Sequence, residues 1–126
     1  MSTATLVLVS ECLATSYRPD LELLDGQLVA RNMGEYDHSS LQGALVARIH
    51  NRQHEWHIRV LPEQRLRVAA NRFRIPDVCV ISRDQEIEPV FTRPPLICIE
   101  VLSKDDTLRS MQERVDDYQA FGVPNI

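Results

Sequence analysis

The segment Leu96-Ile97-Cys98-Ile99-Glu100-Val101-Leu102 decides the fold of this chain. It follows two prolines and is apolar except for Glu100, a pattern typical of a central strand that is buried on both faces. A carboxylate inside such a strand is costly to bury unless a partner or a bound cation compensates its charge. Glu100 is therefore the first residue that a function has to explain.

A second carboxylate stands at the start of the preceding apolar strand. Pro76 introduces the run Asp77-Val78-Cys79-Val80-Ile81. If the two strands are neighbours, Asp77 and Glu100 converge at one end of the sheet and form an oxygen site for Mg²⁺ or Mn²⁺. The residues alone leave another interpretation open, in which Asp77 caps a turn and Glu100 pairs with an arginine.

Local patterns along the rest of the chain predict a hairpin, two helices and two more strands. Asp25-Gly26 between two apolar runs is a strong hairpin signal, because both turn positions require positive φ. Asp37 offers an N-cap for the first helix. The predicted elements are hairpin strands at 21–24 and 27–30, a helix from about His38 to Gln53, strands at Trp56–Leu61 and Arg65–Val68, and a helix from about Thr107 to Phe121. We therefore expect an α/β fold with a mixed β-sheet core flanked by helices and an N-terminal β-hairpin.

Length and composition limit the classes of protein. The 126 residues allow one domain, and 44% hydrophobic with 25% charged residues argues against disorder. The net charge of -4 excludes a globally basic nucleic-acid binder, so any such contact must come from local basic patches. Cys12, Cys79 and Cys98 form no CxxC pair and are expected to be buried thiols in a cytoplasmic protein. No apolar run is long enough to span a membrane.

One basic stretch is a candidate for such a patch. Arg65, Arg67, Arg72 and Arg74 surround Phe73, and Arg72 and Arg74 share a face if the segment is extended. That arrangement is typical of a stripe that follows phosphates. A solvated sheet edge protected by charge is the alternative interpretation.

Several separate motifs follow one another along the chain. They are Tyr17-Arg18-Pro19-Asp20, Glu22 with Asp25-Gly26, His38, the run from Ile75 to Val80, the run from Pro94 to Ser103, Tyr118, and Gly122-Val123-Pro124. In this order they resemble the Uma-two family of restriction-endonuclease-like proteins, which is assigned to the PD-(D/E)xK nuclease fold. The similarity spans residues 17–126. It implies a single metal-dependent endonuclease domain that hydrolyses phosphodiester bonds in nucleic acid, with DNA the expected substrate.

The resemblance also implies roles for individual residues. Asp77 and Glu100 become the acidic metal ligands, and the backbone carbonyl of Val101 a third. Leu102 stands where the wider superfamily keeps its lysine, and the family's basic residue lies on the following helix, at Arg114. An arginine there can hold a phosphate and stabilise negative charge, but it cannot release a proton near neutral pH.

Four further residues are secondary candidates. Lys104 is close in sequence and could stand in for the lysine, while the resemblance places an acidic residue, Glu22, in the hairpin and a histidine, His38, at the helix start. Glu63 could reach the sheet edge. A surface carboxylate, an ordinary first-turn histidine and, for Arg114, a solvated helix face are the alternative interpretations.

A non-catalytic function is the competing hypothesis. The exchange of lysine for Arg114 motivates a nuclease-like domain that binds nucleic acid or a protein partner without cleaving it. The family pattern continues with one more core strand after Val123, of which only Asn125 and Ile126 are present. An unpaired strand edge would favour a homodimer and lower the stability of the domain.

Overall fold

The computed structural model of the chain describes residues 6–17, 20–31 and 34–126. Arg18 and Pro19, part of one motif discussed above, lie outside these ranges. The helices of the described residues are α1 (Val9–Ala14), α2 (Tyr36–His50) and α3 (Leu108–Phe121). The strands are β1 (Leu21–Leu24), β2 (Gln27–Ala30), β3 (Ile58–Pro62), β4 (Leu66–Ala69), β5 (Arg72–Arg74), β6 (Val78–Ser82) and β7 (Ile97–Ile99).

The strands form two sheets, with the orders β2-β1-β5-β4 and β3-β6-β7. Every pair of these strands is antiparallel. Parallel contacts occur as isolated bridges, from Leu66 to Phe91 and from Ile97 to Asn125. The predicted α/β fold with an N-terminal hairpin is confirmed, and its strands are divided between two sheets.

The sheet of β3, β6 and β7 lies between helices, and this explains the apolar run of β6. Val78 and Val80 pack towards α2, together with Val60. Cys79 and Ile81 point to the opposite face, where the cluster includes Tyr118 of α3. Alternate residues of a strand point to opposite faces, so a strand covered on both sides must be apolar throughout. The predicted burial of the free thiols Cys12, Cys79 and Cys98 is confirmed.

The segment around Glu100 differs from its prediction. Strand β7 is only three residues long, and Leu96 and Leu102 are exposed. The middle strand of its sheet is β6, while the outer edge of β7 contacts Asn125, whose carbonyl accepts a hydrogen bond of 3.0 Å from the Cys98 N–H. The prediction of a long central strand was wrong because a short apolar run does not distinguish strand from the loop that leaves it.

The first residues of helix α2 and strand β3 also differ from the prediction, in each case because of the local backbone. Helix α2 begins at Tyr36 with Glu35 as its N-cap, so the predicted cap at Asp37 is wrong and Asp37 lies in the first turn. Strand β3 begins at Ile58 and not at Trp56, because His57 has a φ of 54° and interrupts an extended backbone. Helix α1 and strand β5 were not predicted. Among the described residues no helix has the length and apolarity needed to cross a membrane.

Candidate active site

The strand register places Asp77 and Glu100 at the same end of one sheet. Val78 of β6 and Ile99 of β7 are direct partners, so Asp77 just before β6 and Glu100 just after β7 are the next pair outward. Both carboxylates line one small cavity of about 10 Å³. Its other lining residues are Arg31, His38, Val101, Asp106, Met111 and Arg114.

The Asp77 carboxylate is held in a fixed orientation by three groups. Its Oδ2 accepts a hydrogen bond of 2.7 Å from the Val101 backbone N–H and lies 3.3 Å from Nε2 of His38. Its Oδ1 accepts a hydrogen bond of 3.0 Å from Arg31. The amide of Gln42 donates to the Asp77 backbone carbonyl at 2.8 Å. The structure thus fixes the side chain and the backbone of this residue, whose side chain is 6% exposed.

Glu100 lies in a more apolar setting. Its Oε1 accepts a hydrogen bond of 2.5 Å from the Tyr118 hydroxyl and lies 3.6 Å from a guanidinium nitrogen of Arg114. Burial raises the pKa of Glu100 to about 8, Arg114 and Tyr118 oppose this rise, and the nearby Asp77 carboxylate adds to it. With a pKa of about 8, Glu100 retains its proton at neutral pH unless a cation neutralises its charge.

Arg114 reaches the cavity from α3 and is anchored on its other side by Glu22. Its two terminal nitrogens donate to the two oxygens of Glu22 at 3.0 and 2.9 Å. Burial acts to lower the pKa of Arg114, but Glu22 and Glu100 outweigh it and raise the pKa above its ordinary value. Glu22 is fully buried and also accepts from the Ile75 N–H and from Arg74. Arg114 therefore carries a permanent charge in a fixed position.

The structure brings most of the sequence-predicted residues together, and Lys104 is the exception. Asp77, Glu100, Val101, His38 and Arg114 line the cavity, and Glu22 contacts it through Arg114. The Lys104 ammonium lies 2.8 Å from Glu35 in an exposed pair. It lines a neighbouring cavity of about 350 Å³, which His38 also lines. Glu63 is half-exposed and accepts a hydrogen bond from Arg31 at 3.2 Å.

The basic stretch does not form a phosphate stripe. Arg72 and Arg74 share a face of β5, as expected for an extended segment, but both donate to Asp117 of α3. Strand β5 lies inside its sheet, so the alternative of a solvated edge does not hold for Arg72 and Arg74, whereas β4, which carries Arg67, is the outer strand of the same sheet. Arg65 and Arg67 donate to the backbone carbonyls of Cys12 and Ala70. Each of these arginines donates at least one hydrogen bond within the chain, so the stretch contributes to the fold.

A family model described as "Uma2: Putative restriction endonuclease" matches residues 11–126. The chain belongs to the Uma2 (Uma-two) family. The fold is also that of a solved structure described as "a putative nuclease belonging to DUF820" from Anabaena variabilis, with a TM-score of 0.76 and 22% sequence identity. The match covers 90% of this chain and 68% of that one. No curated protein is significantly similar in sequence to the chain.

Sequence analysis missed two residues that contact the carboxylates in this member of the Uma2 family. Arg31 follows the hairpin and donates to Asp77, while Tyr118, which the sequence analysis names only among the family motifs and without a role, donates to Glu100. Tyr118 could have been found from its spacing, because it lies four residues after Arg114 and residues one helical turn apart share a helix face.

The donors of the Uma2 site fit a small divalent cation. In the three described ranges no group of three or more His, Cys, Asp or Glu is arranged as a metal site. Two carboxylates are nevertheless a common protein contribution to a Mg²⁺ site, because Mg²⁺ keeps several waters and takes other oxygens from its substrate. A cavity of about 10 Å³ has the volume of roughly one water-sized sphere. A cation there would also replace the proton that Glu100 retains.

We expect the metal-free protein to lose stability as the pH rises from about 4.5 towards 8. The pKa of Glu100 is raised to about 8 from an ordinary value of 4.5, so the folded state binds more protons than the unfolded chain between these values. The free energy of unfolding should then fall by up to about 1.4 kcal/mol per pH unit. Urea unfolding in chelator would measure the slope, and Glu100→Gln should remove this part of it. Equal slopes in the two proteins would contradict the prediction.

Proposed function

We propose that the chain is a metal-dependent nuclease that hydrolyses phosphodiester bonds in DNA, with Asp77 and Glu100 holding Mg²⁺ or Mn²⁺. The observation that carries the proposal is the convergence of two buried carboxylates and one arginine on a single cavity at the end of a sheet. Membership of a family described as restriction endonucleases supports nuclease chemistry. Residues 1–126 are proposed to form one domain.

The surrounding residues have roles that follow from their contacts. The Val101 N–H and Arg31 orient the Asp77 carboxylate, and the Tyr118 hydroxyl orients Glu100. A divalent ion bound by the two carboxylates, with the Val101 carbonyl as a further proposed ligand, would polarise the phosphate and lower the pKa of a water. Arg114 places a fixed positive charge where negative charge develops on the phosphate.

Proton transfer has to involve a group other than Arg114. A guanidinium does not give up its proton in a protein, and the two carboxylates beside Arg114 raise its pKa further. His38 lines both the carboxylate cavity and the larger neighbouring cavity, so it is positioned to meet a substrate that enters from there. Lys104 lines that larger cavity and is proposed to contact a phosphate of the substrate without being a ligand of the metal ion.

A nuclease-like protein that binds nucleic acid or a partner without cleaving it is the second candidate. The observation that favours it is the double hydrogen bond between Arg114 and Glu22, which holds the basic residue in an internal ion pair. A lysine at this position would have three rotatable donors and a proton it can release, whereas Arg114 has neither property. This candidate predicts nucleic-acid binding without metal-dependent turnover.

Calorimetry with Mn²⁺ and Mg²⁺ separates the two candidates. We expect the wild-type chain to bind a divalent ion and release protons on binding, since Glu100 must lose its proton. Asp77→Asn should abolish the binding signal. Asp84→Asn is the matched control, because Asp84 is exposed and pairs with His57 away from the cavity.

Metal binding that is equal in wild type and Asp77→Asn would refute the proposed ligand. Binding of metal and DNA without cleavage would favour the second candidate. A homodimer remains a prediction, which the mass of the protein in solution would test.

A further inference from the structure

One face of α2 is open and borders a groove of about 550 Å³. The residues that line it run from Ser39 in the first turn to Asn51 at the C-cap, with Pro62 and Glu63 on the opposite side. Gly43, in the middle of this face, has no atom within 4 Å of the position that a Cβ would occupy. The groove therefore has access for an external molecule along most of the helix.

One end of the groove lies beside the candidate active site. Gln42 lines the groove and donates to the backbone carbonyl of Asp77 at 2.8 Å. Glu63, also in the lining, accepts a hydrogen bond from Arg31, and Arg31 donates in turn to the Asp77 carboxylate. A chain that follows the groove in this direction reaches the residues around Asp77.

The other end of the groove meets a basic and aromatic pocket. This pocket, named here the Arg48–Trp56 pocket, has a volume of about 280 Å³ and is lined by Arg48, Asn51, Arg52 and Trp56. Asn51 lines both the groove and the pocket, so the two adjoin at this residue. Trp56 is 53% exposed, and the guanidinium of Arg52 lies 5.9 Å from the centre of its ring.

The positive charge of the Arg48–Trp56 pocket is available to an external anion. Within the described ranges Arg48 makes no ion pair. Arg52 pairs with Glu55 one turn on, and both side chains are more than half exposed, so this pair contributes little and is easily exchanged. By contrast, Arg31, Arg72, Arg74 and Arg114 all hold carboxylates inside the protein.

We propose that the α2 groove and the Arg48–Trp56 pocket bind a single-stranded segment of nucleic acid, with phosphates on Arg48 and Arg52 and an unpaired base against Trp56. Exposed aromatic rings beside cationic groups are the usual means of binding single strands, because every base has a flat face that stacks. From His38 to His50 the helix rises about 18 Å, the length of roughly five stacked nucleotides. The inference rests on the proposed function, since the same strand extends to the carboxylates.

Trp56 is the single tryptophan of the chain, so its fluorescence reports on this pocket alone. The probe is an oligodeoxythymidylate of about ten nucleotides, titrated into the protein in chelator so that no cleavage occurs. We expect saturable quenching of Trp56. In anisotropy measurements with labelled oligonucleotide, the double variant Arg48→Ala/Arg52→Ala should bind at least about 10-fold more weakly. For this double variant, the slope of the logarithm of the association constant against the logarithm of the salt concentration should be shallower by about 1.4, the value for two phosphate contacts on a single strand.

Two further variants sharpen the assignment. Trp56→Ala should weaken binding by at least about 10-fold without changing the salt dependence, because it removes a stacking contact and no charge. Arg93→Ala is the matched control. Arg93 is an exposed arginine in the loop before β7, and its replacement removes one charge outside the α2 face.

Unchanged Trp56 fluorescence, or binding by the double variant equal to that of Arg93→Ala, would overturn the proposal. The proposal would also be overturned if a DNA duplex bound as tightly as the single strand without quenching the fluorescence of Trp56. A dimer in solution that Gly43→Arg dissociates, and that the oligonucleotide does not disrupt, would assign the groove to a second copy of the chain.

The outcome is separable from that of the proposed function. Binding through the pocket by a wild-type chain that does not cleave with Mg²⁺ would support this inference while the nuclease assignment fails. Cleavage that needs Asp77 but is unaffected by loss of Arg48 and Arg52 would overturn the inference while the nuclease assignment stands.

Discussion

Replacing Asp77 by asparagine is expected to lower nuclease turnover by more than about 100-fold. Loss of a residue that merely supports a metal ligand already costs about 10–100-fold, and Asp77 is proposed to be a ligand itself. The substitution keeps the shape of the side chain and an oxygen that can accept the Val101 N–H bond of 2.7 Å. Its amide group faces Arg31, which loses the hydrogen bond of 3.0 Å to the Asp77 carboxylate, so the loss of turnover has to be compared with the loss of stability. Cleavage of DNA at saturating Mg²⁺ would measure the turnover.

The control for this prediction is Asp84→Asn, the same chemical change at an exposed carboxylate. It should leave turnover within about twofold of wild type, because surface substitutions away from special features have small effects. Thermal unfolding of both variants would verify that they fold. Full turnover in a folded Asp77→Asn protein would remove Asp77 from the proposed metal site.

Replacing Glu22 by alanine is expected to lower the free energy of unfolding by about 3–5 kcal/mol, the usual result of breaking a buried ion pair from one side. Glu22 is fully buried between Arg74 and Arg114 and also accepts a hydrogen bond of 2.8 Å from the Ile75 N–H. Alanine would leave two nearly buried guanidinium groups and one backbone donor without this acceptor. Denaturant unfolding at neutral pH would measure the loss.

Glu113→Ala provides the matched comparison for Glu22. Glu113 lies 3.8 Å from the same Arg74, but its side chain is 61% exposed. Its removal should cost less than about 1 kcal/mol, as for other exposed pairs. Similar losses for the two variants would show that burial of Glu22 does not set its contribution.

The convergence of Asp77 and Glu100 could be predicted only on the condition that their two strands are neighbours, which the structure shows. Each carboxylate flanks a short apolar strand, and a tight pairing of those two strands leaves few other places for the side chains. The hairpin was predictable for a similar reason, since Asp25 and Gly26 adopt the positive φ values, 52° and 87°, that the dipeptide favours. In both cases the residues directly next to each feature indicate the local structure.

The partners of these carboxylates could not be predicted from spacing. Arg114 reaches Glu22 across 92 positions of sequence, and Arg31 reaches Asp77 across 46. No periodicity records such contacts, and for Glu22 and Arg114 only the family resemblance pointed to the region. For the basic stretch, the local prediction that Arg72 and Arg74 share a strand face was correct, but their predicted role was not. Both arginines donate to the carboxylate of Asp117 on α3, a partner that the local sequence does not indicate.

The position of Glu22 has a consequence for local opening of the protein. This carboxylate belongs to the N-terminal hairpin, and through Arg114 it holds α3, the helix that also carries Tyr118 to Glu100. The hairpin cannot detach without releasing the arginine beside the two acidic residues. Loss of the cavity's arrangement and detachment of β1 are therefore one cooperative event, and the β1 amides should exchange with solvent no faster than the site itself comes apart.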